Sequence, residues 1–436
     1  MNEELKKLLI EDYKRRFPIK KFVPGESVVP VSGKVFDEKE ILNMTEAVLE
    51  GWWTEGKYSE QLESKLAAFV GTKFCSLVNS GSSANLLAVT ALTSKKLPEN
   101  KRLKPGDEVI TVAAGFPTTV NPLIQNGLVP VFVDVELGFY NPSLESIKKA
   151  YSEKTKAIMV AHTLGNPYEV DEIAKFCEEK GLWLIEDNCD ALGSEYKGKR
   201  TGSFGHIATC SFYPAHHITT AEGGAVFTSD VLLNKLVRSF RDWGRDCWCP
   251  TGKDNTCRNR FNWQFGNLPF GYDHKYIYSE LGYNLKMTDI QAALGLAQMD
   301  KLNDFVAKRR ENFNLLTEKF KQFEKYFILT EHLPDANPSW FGFLLTIKEG
   351  AGFDRIELMK YLDSKKIGTR LLFSGNIVKQ PYFVNNQYKY RVVGNLTNTD
   401  YIMNNTFWIG VGPTVTKEMI DFVSVAVSEF LKKYEY

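Results

Sequence analysis

The sequence predicts an α/β protein in which a mainly parallel sheet, covered on both faces, is joined to a smaller α+β unit. Three observations carry this. From about residue 60, strand-like apolar runs alternate with helical ones, the pattern of βαβ connections. A long helical pattern beginning near Met287, with Thr288 as its N-cap, bridges toward a second unit. At 436 residues the chain exceeds one ordinary core. The expected division is an N-terminal helical segment at 1–35, a large domain at 36–300 with a cysteine loop at about 246–272, and a small domain at 301–436.

Taken in order, MNEELKKLLIEDYKRRFPIKKF mixes acidic and basic residues without a long apolar run, and reads as a surface helix, not a signal peptide. QLESKLAAFVG is helical, and GSSANLLAVTALTS is a helix entered through a Gly-Ser turn. DEVITVAA, VPVFVDV, KAIMVAH and LWLIEDN are strands; SLESIKKAYSE and VDEIAKFCEEKG are helical connections among them. After the bridging pattern, SWFGFLLTIKE, a helical IELMKYLDSKKIG, TRLLFSG and a final helix from about Lys417 form the smaller unit.

Composition excludes several classes of function. Lys+Arg 54 against Asp+Glu 53 removes the electrostatic case for a nucleic-acid or membrane-surface partner. No run spans a bilayer, so the expected compartment is the cytoplasm. Seven cysteines make no disulfide framework. Cys75, Cys177 and Cys210 sit singly among apolar residues and read as small hydrophobes, whereas Cys247, Cys249 and Cys257 crowd one loop, DCWCPTGKDNTC.

Ligands of parallel sheets bind at the carboxyl ends of the strands, where the candidate chemistry falls. Ser80-Gly81-Ser82-Ser83-Ala84 opens a helix and offers N–H groups to a phosphate, although such a turn is more often only a helix cap. Phe116, in a turn after a strand, is placed to stack on a planar ring or to fill core. Asp187 and Asp190 stand just past LWLIE, where a buried carboxylate wants a cationic partner or a helix to cap.

The order SGSSAN, GFP, VFVDV, AHTLGNP, IEDNCDALG, SFYPAHHITTAEGGA and LGYNLKMTDIQAALGLAQ resembles the DegT/DnrJ/EryC1 sugar aminotransferases, of the fold-type I pyridoxal-phosphate class (aspartate aminotransferase-like), from about Gly51 to the C-terminus. The resemblance implies that Gly81, Ser82, Ser83 and Ser211 contact the cofactor phosphate, that Phe116 stacks on its ring, and that Asp187 pairs with its pyridine nitrogen. Asn284 would reach the phosphate from the neighbouring subunit, which implies a homodimer with a shared site.

Two departures from that family matter. Where relatives carry the cofactor lysine, SFYPAHHITTAEGG has His216, followed by His217; where they commonly have Gln or His among the cofactor residues stands Asp190. An imidazole moves protons but forms no Schiff base. Cys189, Cys247, Cys249 and Cys257 read C-x57-C-x-C-x7-C, which, with DWGRDCWC and GTRLLFSGN, resembles the iron–sulfur CDP-4-keto-6-deoxyglucose 3-dehydrase subgroup. Four thiolates match a [2Fe–2S] cluster, and C-x-C fits structural zinc awkwardly.

The resemblance therefore implies a C3 dehydration of a nucleotide-linked 4-keto-6-deoxyhexose with pyridoxamine 5′-phosphate, His216 acting as the base. Electrons would come from an NADH-dependent flavin/iron–sulfur reductase, and the dideoxy sugar would serve lipopolysaccharide O-antigen. The alternatives are an aminotransferase, a metal-free sugar 3-dehydratase, or a zinc-stabilised sugar-nucleotide binder.

Overall fold

The computed structural model of the chain describes residues 1–434. Helix α1 (Glu3–Arg16) buries none of its side chains, as expected of a surface helix. Helices α2 (Glu38–Leu49) and α3 (Lys57–Val70) lead into the sheet. Along the chain come β1 (Phe74–Val78), β2 (Glu108–Val112), β3 (Val129–Val133), β4 (Thr155–Ala161) and β5 (Trp183–Asp187). A short hairpin, β6 (Glu195–Tyr196) and β7 (Lys199–Arg200), precedes β8 (Ile207–Ser211) and β9 (Gly224–Thr228). The connecting helices are α4 (Gly81–Ala91), α5 (Pro117–Gln125), α6 (Leu144–Ala150) and α7 (Val170–Lys180), with α8 (Val231–Arg241) after β9.

The large sheet has the order β1-β9-β8-β5-β4-β2-β3, extended at the β3 edge by Arg391–Val392. Only β9 runs against its neighbours, so the sheet is mainly parallel as predicted. The exception has a local cause: β8 and β9 are joined by the loop 212–223, and a loop without a crossover helix returns the chain antiparallel. Alternate residues of the central strands feed two apolar clusters. Val109, Met159 and Ile185 face one and Ile110, Ile158 and Leu184 the other, which is why these strands carry few polar residues.

The small unit is a four-stranded antiparallel sheet in the order Phe327–Leu329, Gly342–Ile347, Thr406–Gly410, Thr369–Leu371. The two units exchange chain. Arg391–Val392 pairs parallel with Val131–Phe132 and is anchored by Arg391 Nη2 at 2.6 Å from Glu108. At the other end of the sequence, Val29 N–H donates to the Lys366 carbonyl at 2.9 Å, tying the N-terminal segment to the small unit.

The single helical pattern expected from Met287 is two helices, α9 (Asp289–Met299) and α10 (Leu302–Phe320). The chain breaks at Asp300 and Lys301, where Lys301 turns its ammonium onto buried Glu40 and, at 3.0 Å, onto Asp37. Thr288 caps α9 as expected, its hydroxyl accepting from Gln291 N–H at 3.4 Å.

Asp289, inside the first turn of α9, also accepts from the N–H groups of Gly56, Tyr58 and Ser59 and from the Ser59 hydroxyl at 2.8–3.2 Å, and so caps α3 from outside. Asp289→Ala leaves those N–H groups orphaned in a buried place and is expected to lower stability by about 2 kcal/mol, read as a shifted denaturant midpoint with unchanged slope.

Candidate active site

The carboxyl ends of β1, β2, β5 and β8 form one floor. Asp187, the last residue of β5, is buried. Its Oδ2 accepts from Asn85 Nδ2 at 2.8 Å and from the Thr119 hydroxyl at 2.7 Å. Its Oδ1 accepts only a longer bond, 3.2 Å, from the Cys189 N–H. The donors are neutral, so Oδ1 retains capacity for a stronger, cationic one. Sequence reasoning missed both side-chain donors, although Asn85 lies one helical turn beyond Gly81 and Thr119 three residues beyond Phe116.

Ser80 is the N-cap of α4, accepting from Ser83 N–H at 3.1 Å, so the capping account of that turn holds for its first residue. Gly81 has a separate requirement: a Cβ there would lie 2.5 Å from Ser211 Cβ. The turn 81–83 and the end of β8 thus make one wall at a helix N-terminus, suited to an anion. Phe116 is not core; it begins α5 with its ring half exposed and edge-on to Phe373, centroids 6.2 Å apart.

His216 lies in the β8–β9 loop with Nδ1 3.3 Å from Asp190 Oδ1, outside hydrogen-bond alignment, and its ring tilted over Phe341 at 5.2 Å. Asp190 also faces buried Arg309, whose pKa burial pushes down to about 10 while the Asp190 charge pulls it back up. Arg309 Nη2 donates to the His216 carbonyl at 3.4 Å. His217 is spent on structure: it is buried, and its Nε2 donates to the Ser339 carbonyl at 2.8 Å. Burial, reinforced by Arg309, holds it well below 6.5. Of the two adjacent histidines, His216 is the one turned to the Asp190 carboxylate. Asn284 is exposed, bridged to Asp242 at the base of the cysteine loop, where it faces outward.

These residues suit pyridoxal or pyridoxamine phosphate. The Gly81–Ser211 wall would take the phosphate, Phe116 would offer a ring face, and the remaining acceptor capacity of Asp187 Oδ1 would take a protonated pyridine nitrogen. A four-cysteine [2Fe–2S] set fits less well. Cys247 and Cys257 lie together with His274, their ligand atoms within 4.8 Å of one another. Burial pushes the Cys249 thiol up, but hydrogen bonds from Thr256, Cys257 and Cys247 outweigh it and hold it at about 7; burial raises Cys247 to about 12. Cys189 is not in that group. It sits at the β5 end, where burial first, then Asp187 and Cys210, raise its thiol well above the ordinary range.

Residues 35–428 match the DegT/DnrJ/EryC1/StrS aminotransferase family. The chain belongs to that family. It is 56% identical over 430 residues to the lipopolysaccharide biosynthesis protein RfbH of Salmonella typhimurium, covering 99% of this chain and 98% of that protein. To the dTDP-4-dehydro-2,6-dideoxy-D-glucose 3-dehydratase of Saccharopolyspora spinosa it is 52% identical over 424 residues, 97% and 91% of the two chains. Among solved structures, E coli GDP-4-keto-6-deoxy-D-mannose-3-dehydratase with bound hydrated PLP superposes with a TM-score of 0.82 at 31% identity, over 91% of this chain and 98% of that one. This family member therefore has the aminotransferase fold of pyridoxal-phosphate enzymes and is an enzyme of the sugar 3-dehydratase and aminotransferase kind. Among the described residues no helix is long and apolar enough to cross a membrane.

Gly81→Ala is expected to weaken cofactor binding at least tenfold, read from cofactor absorbance on titration, with circular dichroism unchanged. Stability carries a histidine signature as well. The unfolded His217 takes up a proton as pH falls through about 6.5 and the folded one does not, so stability falls with pH below that value. His217→Gln is expected to flatten this part of the slope, measured by denaturation between pH 7 and 5, roughly the window of an ordinary histidine.

Proposed function

We propose that this enzyme removes the C3 hydroxyl of a nucleotide-linked 4-keto-6-deoxyhexose with pyridoxamine 5′-phosphate as its cofactor. The observation that carries this is His216, an imidazole beside Asp190 at the position where the family resemblance implies a cofactor lysine. Without that amine the segment has no group to hold the cofactor covalently or to drive an amino-donor cycle. The names of the relatives at 52% and 34% identity, both 3-dehydratases, support the same reaction.

When bound, the cofactor supplies an amine for the sugar's C4 ketone and a ring that accepts electrons. Beside it His216 would act as the base through Nε2, with Nδ1 3.3 Å from Asp190 Oδ1 and the carboxylate there to stabilise the imidazolium. Asp187 would hold a protonated pyridine nitrogen through Oδ1, its Oδ2 already taken by Asn85 and Thr119. Phe116 would cover one ring face, Gly81, Ser82, Ser83 and Ser211 would hold the phosphate, and Asn284 would complete the phosphate site of the other subunit in a homodimer. The C3 hydroxyl is the group lost.

The substrate proposed from the subgroup resemblance is CDP-4-keto-6-deoxyglucose, with dTDP and GDP sugars as the competitors that the relatives' names supply. The same resemblance adds a [2Fe–2S] cluster and an NADH-dependent reductase, and an intracellular role in O-antigen synthesis. Three thiols in one loop support a metal there. The position of Cys189 gives the four-cysteine form no support, and the dehydration above uses no metal.

His216→Asn tests the reading. It is expected to keep the cofactor and to lose dehydration by about 10²–10⁴-fold, together with solvent exchange at C4′, assayed on CDP, dTDP and GDP sugars side by side. Retained exchange would place the base elsewhere, and an amino sugar formed on adding glutamate would make the protein an aminotransferase.

A further inference from the structure

We propose that Phe373, carried by the small unit, is a positioning residue for the cofactor site: it braces Phe116 edge-on, so that the Phe116 ring is set before the cofactor arrives. The assignment rests on the reading that Phe116 covers the cofactor ring. Phe373 lies in GTRLLFSGN, just past the strand Thr369–Leu371, a segment with no part in the reaction above. Its φ is +46°, a left-handed backbone that glycine takes freely and a bulky aromatic residue does not. Such a conformation persists only where the surroundings over-determine it. Here they do. Gln380 Nε2 donates to the Ser374 carbonyl at 2.7 Å, Trp408 Nε1 to the Leu371 carbonyl at 3.1 Å, and the Gly375 N–H to the Leu372 carbonyl at 3.0 Å. Glycine would make this turn without strain, so the phenylalanine is there for its ring.

What that ring meets is Phe116, with centroids 6.2 Å apart and planes at 72°, an edge-to-face pair. Among the described residues Phe373 is the one aromatic side chain paired with Phe116. The brace has work to do, because Phe116 begins α5 half exposed and a ring open to solvent samples more than one rotamer. The backbone is held from the same side. Ser374 donates twice to the carbonyl of Gly115, the residue before Phe116, from its hydroxyl at 2.6 Å and from its N–H at 3.3 Å. Two residues further on, the Ile377 N–H donates to the Ala113 carbonyl at 3.0 Å. One segment of the small unit thus fixes both the chain leading into Phe116 and the tilt of its ring.

The test is a double-mutant cycle on the dissociation constant of pyridoxal 5′-phosphate, read from cofactor absorbance on titrating the whole chain, which needs no turnover. Phe373→Leu is expected to weaken binding about two- to tenfold, the range of an edge-to-face pair. The same change made in a Phe116→Leu protein is expected to cost less than about twofold more. A merely structural side chain would cost the same with or without the Phe116 ring. Phe373→Tyr keeps the ring and is expected to bind as the wild type does. The strain is read separately by denaturation: Phe373→Gly is expected to unfold at a higher denaturant midpoint than Phe373→Ala, while binding the cofactor no better than Phe373→Leu. Unchanged binding in Phe373→Leu, equal losses with and without the Phe116 ring, or a midpoint for Phe373→Gly below that of Phe373→Ala would each overturn the assignment alone. A wild-type protein that takes up no pyridoxal phosphate would overturn the cofactor reading and the assignment with it.

Discussion

Everything at this site hangs on holding one carboxylate by hydrogen bonds where water does not reach it. Asp187 ends a strand buried on both faces, and three elements converge on its carboxyl: α4 through Asn85, α5 through Thr119, and its own turn through the Cys189 N–H. Loss of a single partner in such a place costs roughly 1–3 kcal/mol, so the cofactor floor and the folded core are the same object. Next to it, Glu186 solves the matching problem on the other face. It is fully buried and accepts from the N–H groups of Gly202, Phe204 and Gly205 at 2.6–2.8 Å and from His162 at 3.1 Å. Two adjacent acids thereby pin β5 between the floor at the strand ends and the segment 202–205 that follows the hairpin.

The one antiparallel strand of the large sheet is tied to the chemistry. Because β8 returns directly to β9, the loop between them is held at both ends by the sheet, and His216 enters the site from a short, anchored connection. Arg309 and Phe341 then fix the loop from the side of the small unit. The same loop separates two chemically identical neighbours. His217 turns inward to the Ser339 carbonyl and is discharged by burial, while His216 turns outward to Asp190.

Much was legible from residues alone. Alternating strand and helix runs announced the parallel sheet, Thr288 announced the start of α9, and the Gly-Ser turn, Phe116 and Asp187 fall on the floor where ordered strand ends put them. What stayed hidden involves partners distant in sequence. The donors to Asp187 come from 68 and 102 residues away, the cap of α3 from 230 residues away, and the ion pair that breaks the α9–α10 pattern from 261. A pattern of spacing in one segment carries no information about such pairings. Nor did the cysteine spacing reveal His274, which reaches Cys247 and Cys257 only because the loop folds back through the Arg245–Tyr278 bridge.

The sequence by itself determined the fold class, the family and the loss of the lysine amine, because periodicity, motif order and residue chemistry are local properties of the chain. Tertiary structure alone decided which histidine faces Asp190 and which thiols stand together. Those outcomes depend on burial and on side chains converging from separate elements, as the single-residue difference between His216 and His217 shows.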